Sequence, residues 1–128
     1  TLDLGALKLI IRHGIYQKNK ISQEVFDYFW APMKSKEGRK AFLHFAKSLN
    51  NNDLMEISQQ LKKLKMPVLI IRGDKDPYLS SEIARKLHRE IKTSRLEIIP
   101  NGSHFIQEDE PEQIVQSLFN FFKDSMNG

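Results

Sequence analysis

Hydrophobic residues recur at helical spacing through the first half of the chain. Ser22 can cap a helix whose Val25, Phe26 and Phe29 share one face. A longer set follows the same period further on, consisting of Ala41, Phe42, Phe45, Ala46 and Leu49. Glycine, proline and asparagine interrupt this pattern, which therefore predicts several short helices in place of one long helix. Residues 1–65 are expected to be helical throughout, and the helical pattern ends before Pro67.

The pattern changes after Pro67. Residues 68–71, Val-Leu-Ile-Ile, form a continuous apolar run typical of a strand that is buried on both faces of a parallel sheet. A helix capped by Ser80 or Ser81 is expected next, and residues 95–99 predict a second strand. Roughly twenty residues separate the two runs, which suffices for a helical crossover, so we expect a right-handed parallel β-α-β unit.

A final helix is expected to begin at Pro111. Proline suits the first position of a helix, and the acidic residues Asp109 and Glu110 stand where they can favour its amino end. The helical period predicts a buried face made of Ile114, Val115, Leu118, Phe121 and Phe122. The sequence thus predicts an α/β fold whose second half ends in a helix packed on the sheet.

Composition limits the classes of protein to consider. The chain has 128 residues, of which 40% are hydrophobic and 28% charged, as in a single soluble globular domain. The longest apolar runs are no longer than strands, so no membrane partner is expected. The formal net charge is +4, but the basic residues are interleaved with apolar ones at helical spacing and look like solvated helix faces, so no nucleic-acid partner is expected either.

The chain contains no cysteine, which excludes disulfides, thiolate nucleophiles and zinc–thiolate sites from these residues. A reducing compartment is permitted, and we expect a cytoplasmic protein. The sequence begins with Thr1 and its opening residues lack the features of a signal peptide. We therefore expect the sequence to be a piece of a longer protein.

Two polar loops follow the two predicted strands. RGDKD follows the first strand and contains Asp76, and NGSH follows the second and contains His104. The carboxyl ends of parallel strands meet at one edge of the sheet, so these two side chains should be neighbours. A carboxylate bonded to one imidazole nitrogen fixes the tautomer and leaves the other nitrogen to take a proton. The pattern therefore indicates a pair in which a carboxylate of the first loop orients the imidazole of His104.

The stretch PVLIIRGDKDPYL, followed by RLEIIPNGSHFIQEDEPEQIVQSLFNFF, resembles the carboxy-terminal end of α/β-hydrolase-fold enzymes. The resemblance is to the branch that includes epoxide hydrolases, haloalkane dehalogenases and small esterases. It implies that Asp76 is the catalytic acid and His104 the catalytic base. It also implies hydrolysis of an ester, epoxide or carbon–halogen bond of a small-molecule substrate, through a nucleophile-His-acid triad and without a cofactor or metal.

The same resemblance divides the chain into two parts. Residues 66–128 correspond to the carboxy-terminal part of the α/β-hydrolase core, and residues 1–65 to the helical cap or lid that many members insert before it. The sheet is therefore expected to be incomplete in this chain. Because an unpaired strand edge invites pairing, we expect a homo-oligomer formed through that edge.

The nucleophile that the resemblance requires is missing from the sequence. No Gly-x-Ser-x-Gly elbow, nor its aspartate variant, occurs in the 128 residues. Ser103 adjoins His104 but does not stand on a strand-to-helix turn, so it is not expected to be the nucleophile. The nucleophile, a Ser or Asp, is expected upstream of Thr1, and the chain alone is expected to be inactive.

Simpler interpretations of the same residues stay open. Aspartate beside glycine and proline is common in turns, so Asp74 or Asp76 could serve only the loop, and Asp74 is the better candidate for that role. His104 could be a polar loop residue with satisfied hydrogen bonds. In a second hypothesis, the chain is a non-catalytic interaction module that keeps part of the hydrolase fold.

Other conspicuous side chains have ordinary explanations. His13, His44 and His88 show no metal-ligand spacing and are expected to be surface or helix residues. An aromatic set on one predicted helix could line a substrate pocket, but such clusters are more often core. That set consists of Phe26, Tyr28 and Trp30.

Overall fold

The computed structural model describes residues 4–49 and 51–126. In chain order the elements are α1 (Leu4–His13), α2 (Gln23–Trp30), α3 (Lys36–Ser48), α4 (Asn51–Leu61), β1 (Val68–Gly73), α5 (Ser81–Glu90), β2 (Ser94–Ile99), α6 (Ile106–Asp109) and α7 (Pro111–Met126). Short 3-10 turns at Lys18–Lys20 and Ala31–Lys34 precede α2 and α3. A helical first half followed by an α/β second half confirms the predicted order of elements.

Serine residues are the N-caps of three helices. The Ser22 hydroxyl accepts a hydrogen bond from the Val25 amide at 3.2 Å, and the Ser80 hydroxyl accepts one from the Glu82 amide at the same distance. Ser35 caps α3 in the same way. Each cap satisfies an amide that the first turn of a helix leaves without an intrahelical partner. The predicted caps of α2 and α5 are confirmed, the latter at Ser80.

The two strands form a parallel pair. Val68 lies opposite Ser94 and Gly73 opposite Ile99, with α5 between the strands in sequence. The parallel β-α-β arrangement is therefore confirmed, and both strands end at the same edge of the sheet. Residues 68–71 are half-buried, however, whereas a strand buried on both faces was predicted. The reason is that the described sheet has two strands, which leaves one edge of β1 and part of each face uncovered.

The buried apolar residues of the described part of the chain lie in α1 and the segment after it, before α3, in and after α5, and at the end of β2. They are Ile11, Ile15, Met33, Ala84, Ile91 and Ile99. Ile99 ends β2, so part of this core lies at the carboxyl edge of the sheet, where the two polar loops emerge.

Helix α7 begins at Pro111 as predicted, but its predicted buried face is wrong. Val115, Leu118 and Phe122 are 65%, 39% and 59% exposed, while Ile114 and Phe121 are half-buried. A sheet of two strands offers too little surface to cover the whole apolar face of a sixteen-residue helix. An apolar stripe on α7 therefore faces outward.

The apolar face predicted around Phe45 is also largely exposed, with Phe45 at 59% and Leu49 at 68%. Leu49 lies just past the end of α3.

Among residues 4–49 and 51–126, none of the helices combines the length and apolar character that a membrane crossing requires.

Candidate active site

The loop that follows β1 (the acid loop, residues 74–79) lies against the loop that follows β2 (the base loop, residues 100–105). The Asp74 amide donates to the Ile99 carbonyl at 2.9 Å, and the Lys75 amide donates to the Gly102 carbonyl at 2.9 Å. These bonds continue the pairing of the strands beyond their ends. The two loops are therefore fixed to each other by main-chain contacts.

Gly73, the last residue of β1, allows this close approach. A Cβ atom added there would lie 2.3 Å from the Ser103 carbonyl oxygen and 2.4 Å from the Gly102 carbonyl carbon. Both neighbours are backbone atoms, which cannot rotate away as a side chain would. A residue without a side chain is therefore required where the two loops meet.

Asp76 and His104 form a hydrogen-bonded pair across the two loops. The His104 Nδ1 lies 3.0 Å from the Asp76 Oδ2, and the Asp76 side chain is 6% exposed while that of His104 is 34% exposed. The other Asp76 oxygen, Oδ1, accepts hydrogen bonds from the amides of Tyr78 at 2.8 Å and Leu79 at 3.1 Å. The structure thus brings together the two residues that the sequence indicated, with a buried carboxylate holding a partly accessible imidazole.

The surroundings of Asp76 favour its charged form. Burial raises the pKa of the Asp76 carboxyl, but the amides of Tyr78 and Leu79 and the His104 ring together outweigh burial and leave that pKa below its ordinary value. An ionised carboxylate is the form that can hold an Nδ1–H and stabilise a protonated imidazole. The electrostatics of Asp76 therefore suit a residue that orients a base.

Two aromatic rings meet the His104 imidazole. The ring centroids of Tyr78 and Phe105 each lie 5.1 Å from that of His104, in edge-to-face geometry. The Tyr78 hydroxyl donates to the Ile10 carbonyl of α1 at 2.8 Å. Burial, followed by the charge of Asp76, raises the pKa of Tyr78, so its hydroxyl stays a donor. Packing on two sides restricts rotation of the imidazole.

A pocket of about 250 Å³ opens beside the pair. Asp76 and His104 line it together with apolar side chains that include Leu79, Ile83 and Leu87. A mostly apolar cleft with a few polar groups is the usual form of a small-molecule site. The imidazole can therefore be reached from an apolar cleft.

The neighbouring candidates have other partners. Asp74 pairs with the Lys75 ammonium at 2.9 Å, and this contact, by hydrogen bond and charge, lowers the pKa of Asp74. Ser103 is 2% exposed and its hydroxyl donates to the Lys75 carbonyl at 3.1 Å. Asp74 therefore serves the loop, and Ser103 ties the base loop to the acid loop.

The other histidines lie apart from the Asp76–His104 pair. His88 Nδ1 bonds the Ser94 hydroxyl at 2.9 Å, and His44 is exposed on α3. His13 is exposed, and its ring centroid lies 5.6 Å from that of Tyr78. The Tyr78 ring therefore lies between His13 and His104. Within residues 4–49 and 51–126, no group of three or more His, Asp or Glu side chains is placed to hold a metal ion.

The aromatic set on α2 is not part of a closed core. Tyr28 is 73% exposed, whereas Phe26 and Trp30 are half-buried and line a pocket of about 440 Å³ between α1 and α2. The Lys8 ammonium lies 5.1 Å from the centre of the Phe26 ring. Phe29, from the same helix, packs edge-to-face against Phe105, the residue that follows His104.

Sequence reasoning missed the role of Asp109. It was assigned to the start of α7, but it ends α6, is fully buried, and accepts a hydrogen bond from the Ser103 amide at 2.8 Å. Nothing in the run of three acidic residues at 108–110 marks the middle one for burial. Only the folded arrangement shows that its carboxylate lies beneath the base loop.

Comparison with known proteins identifies relatives that share the α/β-hydrolase fold. A family model described as alpha/beta hydrolase fold matches residues 11–111. The uncharacterized hydrolase YugF of Bacillus subtilis is 29% identical over 119 residues, which are 93% of this chain and 42% of that protein. A haloalkane dehalogenase of Psychrobacter cryohalolentis is 30% identical over 115 residues, 83% of this chain and 38% of the relative.

Epoxide hydrolase 3 of Xenopus tropicalis is 30% identical over 60 residues, 46% of this chain and 16% of that protein. The chain spans less than half the length of these curated relatives. No solved structure matches the chain significantly.

Proposed function

Because this chain belongs to the α/β-hydrolase-fold family, we propose that it supplies the acid, Asp76, and the base, His104, of a hydrolase's catalytic triad. The observation that carries the proposal is the 3.0 Å contact between Asp76 Oδ2 and His104 Nδ1, made by a buried carboxylate and a partly exposed ring. The relatives named as a haloalkane dehalogenase and an epoxide hydrolase support hydrolytic chemistry.

The proposed mechanism follows from the geometry of the pair. With the proton of the neutral ring on Nδ1 and donated to Asp76, His104 Nε2 is left to accept a proton. If the nucleophile is a serine, Nε2 takes its hydroxyl proton as the oxygen attacks the substrate and later returns that proton to the leaving group. If it is an aspartate, Nε2 takes a proton from the water that hydrolyses the covalent ester intermediate. Asp76 stabilises the imidazolium in either case.

We assign the nucleophile to residues outside these 128. The sequence contains no nucleophile elbow, and the hydroxyl of Ser103 is buried and donates to the Lys75 carbonyl. The relatives are more than twice as long as the matched region, which leaves room for the rest of a triad. The 128-residue chain by itself should therefore show no turnover, and the bond that the intact protein cleaves is set by that nucleophile and by pocket residues elsewhere.

The uncovered edge of β1 needs a partner. In the intact protein we assign it to further strands of the same sheet, and in the isolated chain to a second copy. The exposed apolar stripe on α7 supports this assignment, because it leaves apolar surface uncovered on an element that contacts β1.

The test uses the intact protein as its gene encodes it. Hydrolysis of an aryl ester panel, of a styrene-type epoxide and of short haloalkanes is measured for the wild type, for His104→Gln and for His88→Gln as a matched control. We expect turnover of at least one class, loss of about a thousandfold or more in His104→Gln, and no change in His88→Gln. Full activity of His104→Gln would contradict the proposal, as would His104-dependent turnover by the 128-residue chain alone.

A further inference from the structure

Asp109 is a fully buried carboxylate that binds three main-chain amides from two separate parts of the chain. Its Oδ2 accepts from the Ser103 amide at 2.8 Å and from the Tyr16 amide at 3.1 Å, and its Oδ1 accepts from the Gln17 amide at 2.7 Å. Its relative exposure is 0%. A buried carboxylate is tolerated only where hydrogen bonds replace its hydration, and here amides supply them.

The amides belong to segments that flank His104 and the end of α1. Ser103 directly precedes His104 in the base loop. Tyr16 and Gln17 belong to the segment that leaves α1 (the docking segment, residues 14–17), whose Ile15 is fully buried. Asp109 therefore joins the docking segment to the base loop over a sequence separation of more than ninety residues.

The docking segment makes further contacts with the same loop. The Phe105 amide donates to the Gly14 carbonyl at 2.9 Å, and a Cβ added to Gly14 would lie 2.7 Å from the Phe105 ring. The Gln17 side chain donates to the main-chain carbonyl of Asp109 at 3.0 Å, and the Lys20 ammonium donates to that carbonyl as well. The residues on both sides of His104 are thus held by one network.

Resting on the proposed function, we propose that Asp109 is a positioning residue for the base: it fixes the Ser103–His104 main chain and holds the docking segment against it. His104 can meet both Asp76 and a nucleophile only if its main chain is fixed, because a displacement of about 1 Å from productive geometry costs roughly a hundredfold in rate. One amide of the base loop and two amides of the docking segment bind this carboxylate, which does not touch the imidazole. Asp109 also couples the position of the docking segment to the position of His104.

Substitution by asparagine is the sharpest perturbation. Asp109→Asn keeps the size of the side chain but turns one acceptor oxygen into a donor, so at least one of the three amides loses its partner. Asp109→Glu keeps both acceptor oxygens and displaces them by one methylene. Asp124→Asn is the matched control, since Asp124 is an exposed aspartate on α7 that pairs with Arg95 of β2, away from the site.

Amide hydrogen exchange on the intact protein, followed by mass spectrometry, reads the network without requiring activity. In Asp109→Asn, peptides covering residues 14–18 and 101–106 should exchange together at least about tenfold faster, while Asp124→Asn leaves both unchanged. Faster exchange in one of the two segments alone would overturn the proposal. So would a uniform increase across the molecule that matches a loss of global stability.

Kinetics on the same variants separates positioning from stability. Per folded molecule, Asp109→Asn should lower kcat about ten- to a hundredfold with KM within about threefold, and Asp109→Glu should recover part of that loss. An unchanged kcat per folded molecule would overturn the proposal. If Asp109→Asn does not fold, Asp109→Glu carries the same kcat and exchange tests. If His104→Gln stays active, the proposed function fails, and the exchange result alone then decides whether Asp109 joins the two segments.

Discussion

At the scale of single residues, the Asp76 carboxylate binds both the turn that follows it and the His104 ring. One oxygen binds the amides of Tyr78 and Leu79 and closes the turn, while the other binds His104. The interpretation of Asp76 as a turn residue and its interpretation as the partner of His104 therefore describe two oxygens of one side chain. A substitution at Asp76 will disturb both, which is why its stability and its activity have to be measured separately.

The depressed pKa of Asp76 predicts a stability difference that depends on pH. A carboxyl whose pKa is lower in the folded state stabilises that state above its unfolded pKa and loses the contribution as pH falls through its folded pKa. The free energy of unfolding of the wild type minus that of Asp76→Asn should therefore be largest above about pH 5. It should shrink as pH falls below the ordinary value of 3.8. Urea unfolding from about pH 6 to pH 2 measures the difference.

Asp74→Asn is the control for that measurement. Asp74 is half-exposed and pairs with Lys75, so solvent screens its contribution and its substitution should have a small effect on stability. A constant difference for Asp76→Asn down to about pH 2 would mean that the Asp76 charge does not stabilise the fold.

At the scale of elements, the junction of β1 and β2 with their loops sets the distance between Asp76 and His104. Gly73 makes this junction possible, since a Cβ there would collide with backbone of Gly102 and Ser103. We expect Gly73→Ala to cost about 1–3 kcal/mol in the free energy of unfolding, because the loops have to separate. The rate per folded molecule should also fall, because the same separation lengthens the contact between Asp76 and His104.

Gly102→Ala is the comparison variant for Gly73→Ala and should have a smaller effect. The atoms nearest to its added Cβ would be side-chain atoms of Ile106 and Ile99 at 3.1–3.3 Å, which can adjust more easily than backbone atoms. Denaturant unfolding and initial rates of both variants should therefore rank Gly73→Ala as the more damaging. Equal effects of the two substitutions would contradict the view that the backbone contact at Gly73 sets the site.

The local patterns predicted these elements well because their causes are local. The β-branched run at 68–71, the Ser22 and Ser80 caps and Pro111 each act within a few residues, so the sequence alone located β1, two helix starts and α7. The meeting of Asp76 with His104 was also predictable, because parallel strands bring their carboxyl ends together.

Burial and long-range ties could not be predicted in the same way. The outward face of α7 depends on how many strands are present to cover it, which the helical period does not encode. The burial of Asp109 depends on amides more than ninety residues away. Tyr78 packs against the His104 ring while its hydroxyl donates to the Ile10 carbonyl of α1, which is 68 residues away in sequence.

At the scale of the whole molecule, the open edge of β1 and the apolar stripe on α7 are two surfaces that lack a covering element among the described residues. Val115, Phe119, Phe122 and Met126 are each more than half exposed and lie along one side of α7. Contiguous apolar surface of this kind commonly marks an interface. We expect the 128-residue chain at micromolar concentration to form dimers or larger oligomers, as measured by light scattering after size-exclusion chromatography.

Charged substitutions on the stripe test that expectation. Val115→Lys with Phe119→Lys should shift the chain toward monomer, whereas the control pair Gln113→Lys with Asn120→Lys, at exposed polar positions of the same helix, should not. A strictly monomeric wild-type mass at that concentration would contradict the expectation of an exposed interface.

The pairing of Asp76 with His104 as acid and base is tested most directly by comparing Asp76→Asn with Asp74→Asn in the intact protein. Both substitutions remove one carboxylate from the same loop, but only Asp76 contacts the imidazole. We expect kcat of Asp76→Asn to fall by at least about a hundredfold, with both variants folded, because an amide cannot stabilise the imidazolium. Asp74→Asn should stay within about threefold of the wild type. A mild effect at Asp76 together with a severe one at Asp74 would contradict the assignment of the acid.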